Sequence, residues 1–129
     1  MNTPFLRLAL TADAVASIGL GGLMIAAASF IASLTGLPSA LLFWAGVALL
    51  PWGAYIALVA MRPEISRFAT QIVIEVNLLW TIGSFALMAF GVVQPNALGV
   101  AFVTVQALAV LGLAAAQWVA LREPTRAAA

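Results

Sequence analysis

Two stretches of this chain carry no charge at all: the 48 residues between Asp13 and Arg62, and the 46 from Val76 to Leu121. A helix needs about 20 apolar residues, at about 1.5 Å each, to cross roughly 30 Å of hydrocarbon. Each tract is therefore long enough for two crossings and a tight turn. A water-soluble alternative fails on surface area. Hydrophobic residues make up 65% of the chain and charged residues 7%, where an average soluble domain has about 45–50% and about 25%. A domain of about 150 residues still exposes roughly 30% of its unfolded surface, so this much apolar surface has to face lipid.

The turns announce themselves. Thr35-Gly36-Leu37-Pro38-Ser39 combines a glycine that closes one helix with a proline and a serine that open the next. Gly91-Val92-Val93-Gln94-Pro95-Asn96 repeats the pattern later in the chain. The expectation is an all-α membrane protein: one domain over 1–129, a bundle of four transmembrane helices at about 5–34, 38–61, 65–90 and 96–121. Pro51 removes a backbone donor within the second span and predicts a kink there, with Trp52 beside it.

Arginine placement sets the expected orientation. Arg7 precedes the first span, Arg62 and Arg67 lie between the second and third, and Arg122 and Arg126 follow the fourth, while the other two turns carry no charge. This five-to-none distribution predicts that both termini and the central loop are cytoplasmic, in a multi-pass protein of a bacterial inner membrane. Ala26-Ala27-Ala28-Ser29 imitates a signal-peptide cleavage site, but Asp13 interrupts the apolar region before it and four spans account for the charges better than three.

The nine charges are five Arg and four acids, without Lys or His, and the chain has no Cys. A net charge of +1 offers no field for nucleic acid. Disulfides, thiolate chemistry and the usual zinc, haem and copper ligands are missing, so neither a cofactor nor a metal is expected. Helices in lipid associate by close backbone approach and hydrogen bonds. Ser17-xxx-Gly21, Gly22-xxx-Ala26, Gly112-xxx-Ala116 and the pair Gly46 and Gly53 mark candidate contact faces, read first as packing within the monomer.

An ionisable group inside a membrane is a functional candidate by default, because it costs about 2.5–3.5 kcal/mol at the helix centre even on the mildest scales. Asp13 and Glu75 qualify. Tyr55 and Gln117 fall at similar depth, so each span offers one polar group to a common layer. On the third span Arg67, Gln71 and Glu75 form one stripe, and Asn77, Thr81 and Ser84 lie nearly opposite, with Trp80 on the Asn77 side. Both stripes cannot face one small core. Either Glu75 points inward and the Asn77 side meets a membrane protein partner or a second copy, or the reverse holds. On the fourth span Gln106 and Gln117 share one stripe with Gly99, Phe102 and Leu113, which suggests a single inward polar seam.

At Arg7, Asp13 and the run Asn77-Leu78-Leu79-Trp80, the whole chain resembles small bacterial four-helix membrane proteins of the broadly DoxX-like kind. That resemblance implies a four-helix bundle and little about activity. The chain also looks like small multidrug resistance transporters, which carry an essential acid early in the first helix. Asp13 in Ala12-Asp13-Ala14-Val15 would take that role, as Asp in place of Glu. The one-sided arginines depart from that family, whose members often work as antiparallel dimers. Three functions follow as expectations. The first is a non-enzymatic accessory or assembly subunit docking through Asn77, Trp80, Thr81 and Ser84. The second is a binder of a lipophilic molecule (isoprenoid, quinone or fatty) near Pro51 and Trp52, or an acid catalyst acting on one through Asp13 or Glu75 with Tyr55. The third is a proton-coupled exporter with Asp13 as carrier.

Overall fold

The computed structural model describes residues 4–122. Arg126, counted above among the boundary arginines, lies outside them. Five helices follow one another: α1 (Pro4–Ala26), α2 (Ala28–Thr35), α3 (Ser39–Met61), α4 (Arg67–Ala89) and α5 (Ala97–Leu121). There is no strand among the described residues. Four of the helices, α1, α3, α4 and α5, are long and apolar enough to cross a membrane.

The fifth helix corrects the expectation of one unbroken first span over 5–34. The backbone opens at Ala27 (φ −121°, ψ 25°), although the Ala27 amide still reaches Leu23 O and the Ile31 amide reaches Ala27 O, both at 2.9 Å. Length supplies the reason. The 23 residues of α1 rise about 35 Å, which already crosses a bilayer. The 8 residues of α2 are surplus, and they bend to pack on α3 and α5. Gly36 then closes α2 in the left-handed conformation (φ 74°), its amide bonded to Ala32 O. A residue without Cβ takes that conformation at no steric cost.

Asn96 ties the two uncharged turns together. Its side chain caps α5 by accepting the Gly99 amide at 2.9 Å and donates to Leu34 O at 2.9 Å, while its backbone amide donates to Thr35 O at 2.9 Å. At the opposite end of the bundle two arginines cap helix C-termini. Arg7 donates to the carbonyls of Ala60, Arg62 and Pro63 after α3, and Arg67 donates to Leu121 O of α5 at 3.0 Å. Cations on exposed last-turn carbonyls complement the negative end of the helix dipole.

Packing is uneven around the bundle. The α1–α3 contact is the most extensive and α4–α5 the next, α1 joins the two pairs through α5, and α3 barely touches α4. The tight pair rests on glycines. A Cβ on Gly46 would sit 2.7 Å from Gly21 O, and one on Gly21 would sit 2.9 Å from Gly46 O. Backbones this close gain dispersion and weak Cα–H contacts that larger residues would prevent. The Ser17-xxx-Gly21 stripe is thus used within the chain, whereas Gly22 and Gly112 face open space. Pro51 does not end its helix: α3 runs through it, with Pro51 exposed, Trp52 half-buried and Gly53 against Ile18.

Candidate functional site

Asp13 is placed by the α1 face that also buries Leu6, Leu10, Ser17 and Gly21. That face points into the bundle, and Asp13 is only 2% exposed. A buried acid needs donors. Two amides supply them at one oxygen: Asn77 Nδ2 of α4 donates to Asp13 Oδ2 at 2.7 Å, and Gln117 Nε2 of α5 donates to the same atom at 2.8 Å. Among the described residues, Asp13 Oδ1 receives only the Ser17 hydroxyl, at 3.4 Å. Asn77 Nδ2 also lies 3.5 Å from Gln117 Oε1. Three spans therefore meet at one carboxyl, and Asn77 (3% exposed) and Gln117 (0%) are as enclosed as the acid.

A second polar group lies farther along α4 and α5. Trp80 Nε1 donates to Gln106 Oε1 at 2.7 Å, and Gln106 Nε2 donates to Ser84 Oγ at 3.1 Å and to Val103 O at 2.9 Å. Ser84 Oγ donates in turn to Trp80 O at 2.8 Å. Thr81 Oγ1 lies within bonding distance of Asn77 O (3.0 Å) and Ala107 O (3.3 Å). These bonds hold α4 against α5 and account for the closeness of that pair.

Where α3 and α4 part, two adjoining cavities open. The larger, about 390 Å³, runs toward the Gly36 end between Met24, Leu42, Ala45, Gly83, Leu87 and Phe102. The smaller, about 290 Å³, is lined by Asp13, Ser17, Trp52, Val76, Asn77 and Leu113 among others. Leu20, Trp80 and Gln106 belong to the walls of both. The walls are apolar apart from Asp13, Ser17, Asn77, Ser84, Gln106 and the indole N–H groups of Trp52 and Trp80. Volumes of about 300–1,000 Å³ with a few convergent polar groups are typical of small-molecule sites.

The structure sorts the residues singled out in the sequence. Asp13, Asn77 and Gln117 come together, and Trp80, Ser84 and Gln106 form their own group, so α5 carries two inward polar contacts belonging to different networks. Tyr55 and Glu75 are not part of the Asp13 layer. The Tyr55 ring stacks on Trp52 (5.4 Å between centroids, 19° between planes) and its hydroxyl donates to Ala69 O at 3.3 Å. Glu75 and Gln71 are exposed on the outside of α4. The open choice on α4 is settled: Asn77, Trp80, Thr81 and Ser84 point inward, so they are not the outward contact face expected of an accessory subunit. Asp13 decides it, because an enclosed carboxyl needs the Asn77 amide, while Glu75, nearer the helix end, can extend toward water. The Ser17-xxx-Gly21 spacing marks Ser17 only as a small packing residue. Its position four residues after Asp13, one turn on, was the available sign that it also contacts the acid.

Compared with known protein families, with curated proteins and with solved structures, the chain matches none.

Proposed function

We propose that this bundle binds a lipophilic molecule taken from the bilayer, with its apolar body in the larger cavity and its polar end near Asp13 and Asn77. The observation that carries this reading is the parting of α3 from α4, which leaves cavities of about 390 and 290 Å³ beside a buried carboxyl. A helix pair without a ligand to accommodate gains dispersion energy by closing such a gap. Extraction and mass spectrometry of the chain purified in mild detergent tests the reading. One lipophilic species at about one per chain supports it, and only bulk membrane lipids in bulk proportions contradict it.

The proposed location is a bacterial inner membrane, with both termini and the α3–α4 loop cytoplasmic. Support comes from the five-to-none arginine distribution and from Arg7 and Arg67, which cap helix ends at the same rim.

A second reading, that of an accessory subunit, draws on the outside of α4. Glu75 and Gln71 are exposed there in a row with Leu78, Leu79 and Ile82, and an acid among lipid-facing leucines gains from a polar neighbour on another chain. Co-purification tests it: loss of a stoichiometric partner on Glu75→Leu supports docking through this row, and an unchanged set of partners opposes it.

A further inference from the structure

The cavity walls are selective in a way that volume and apolarity do not convey. Seven polar side chains line the two cavities, and every N–H and O–H they carry, except the Trp52 indole N–H, has an acceptor among the described residues. The Ser17 hydroxyl is directed at Asp13 Oδ1, and the Asn77 amide hydrogens at Asp13 Oδ2 and Gln117 Oε1. The Trp80 indole and the Ser84 hydroxyl donate to Gln106 Oε1 and Trp80 O, and Gln106 gives both its amide hydrogens to Ser84 Oγ and Val103 O. The Trp52 indole is the one wall donor left among the described residues to offer a guest.

Acceptors are left. A carboxylate has about four lone-pair positions, and Asp13 uses two at Oδ2 and one, at the long distance of 3.4 Å, at Oδ1. Asn77 must turn its nitrogen toward the acid, since a carboxylate cannot donate, and this directs Asn77 Oδ1 away from it. That oxygen takes no donor from the described residues. Because no enclosed side-chain oxygen or nitrogen among them lacks a partner, Asn77 Oδ1 is open to the cavity that Asn77 lines.

We infer that the bound molecule is an aliphatic body ending in a hydrogen-bond donor, a hydroxyl or a protonated amine, which meets Asp13 Oδ1 and Asn77 Oδ1. The inference rests on the cavity-binding reading and narrows its ligand class. A headgroup with acceptors alone could meet only the Trp52 indole and would leave the Asp13 and Asn77 oxygens of the wall unpaired, whereas a hydroxyl can donate to them. An ionised carboxylate or phosphate headgroup belongs to this acceptor-only class.

Four probes of equal chain length separate the possibilities: hexadecanol, hexadecylamine, hexadecyl methyl ether and palmitate. Each is titrated into the full chain in detergent, and binding is read from tryptophan fluorescence. Trp44→Phe and Trp118→Phe remove the two exposed indoles, so that the signal comes from Trp52 and Trp80 at the cavities. The alcohol and the amine should bind at least about tenfold tighter than the ether and palmitate, the scale of one hydrogen bond to a charged group. In Asp13→Asn the new amide has to turn its oxygen to Asn77 and Gln117, which leaves its nitrogen, a donor, toward Ser17 and the cavity. The preference for alcohol over ether should then fall about tenfold. Equal binding of ether or palmitate and alcohol to the unsubstituted site overturns the donor-headgroup inference and leaves cavity binding standing. Binding of none of the four overturns the cavity-binding reading itself. The comparison among probes does not depend on the Asp13 variant folding.

Discussion

Asn77 on α4 donates its side-chain amide to the Asp13 carboxyl on α1 at 2.7 Å, across 64 positions of sequence. This contact orients α4, and through Gln117 it also fixes α5 against α1. Removing the amide should weaken the fold. Asn77→Leu leaves an enclosed acid short of one donor and should cost about 1.5–3 kcal/mol, the worth of a hydrogen bond to a charged group. Adding Asp13→Leu should restore part of that loss, since apolar replacement of both partners removes the unmet demand. Thermal denaturation of the four members of the double-mutant cycle in detergent checks this, and additive losses would show that the two side chains are not coupled.

Glycine substitutions should divide by neighbour rather than by sequence spacing. Gly46→Ala places a methyl 2.7 Å from Gly21 O and should destabilise by about 1–3 kcal/mol through forced separation of α1 and α3. Gly112→Ala meets nothing within 4 Å and should be neutral or gain up to about 1 kcal/mol from helix propensity. Melting temperatures of the two variants give the comparison, with a fall expected for Gly46→Ala and none for Gly112→Ala.

Topology is open to direct labelling, because the chain has no native Cys. Glu64→Cys in the α3–α4 loop should react with a membrane-impermeant maleimide only from the cytoplasmic side, and Ser39→Cys at the start of α3 only from the outer side. Reaction of the Ser39 variant from the cytoplasm would reverse the proposed orientation. The two exposed positions lie at opposite ends of α3, so one experiment covers both faces.

The spans were legible in the sequence and the site only in pieces, for physical reasons that differ residue by residue. Charge-free tracts bounded by arginines state how often a chain of this length can cross a bilayer, and four helices long enough to cross are present. The opening at Ala27 had no sign, because alanine is the best helix former and neither Pro nor Gly stands there. Depth along a helix placed Tyr55 and Glu75 level with Asp13 but carried no angle, and both turn elsewhere. Two polar stripes on α4 left its rotation undecided until the donor demand of Asp13 was set against the freedom of Glu75 to reach water. The cavities belong to the spacing of helix pairs, which follows from the close approach of Gly21 and Gly46 on one side and the Trp80–Gln106 bond on the other.

The larger cavity can be narrowed by a single side chain. Gly83 lines the larger cavity, and a Cβ built on it meets nothing within 4 Å, so Gly83→Phe fills volume without striking the backbone. Native mass spectrometry of the unsubstituted chain beside Gly83→Phe, both released from the same membrane, tests the binding reading most directly. The expected result is a bound lipophilic molecule at about one per chain in the former and its loss in the latter at unchanged melting temperature; equal occupancy of the two chains, or an empty unsubstituted chain, would contradict it.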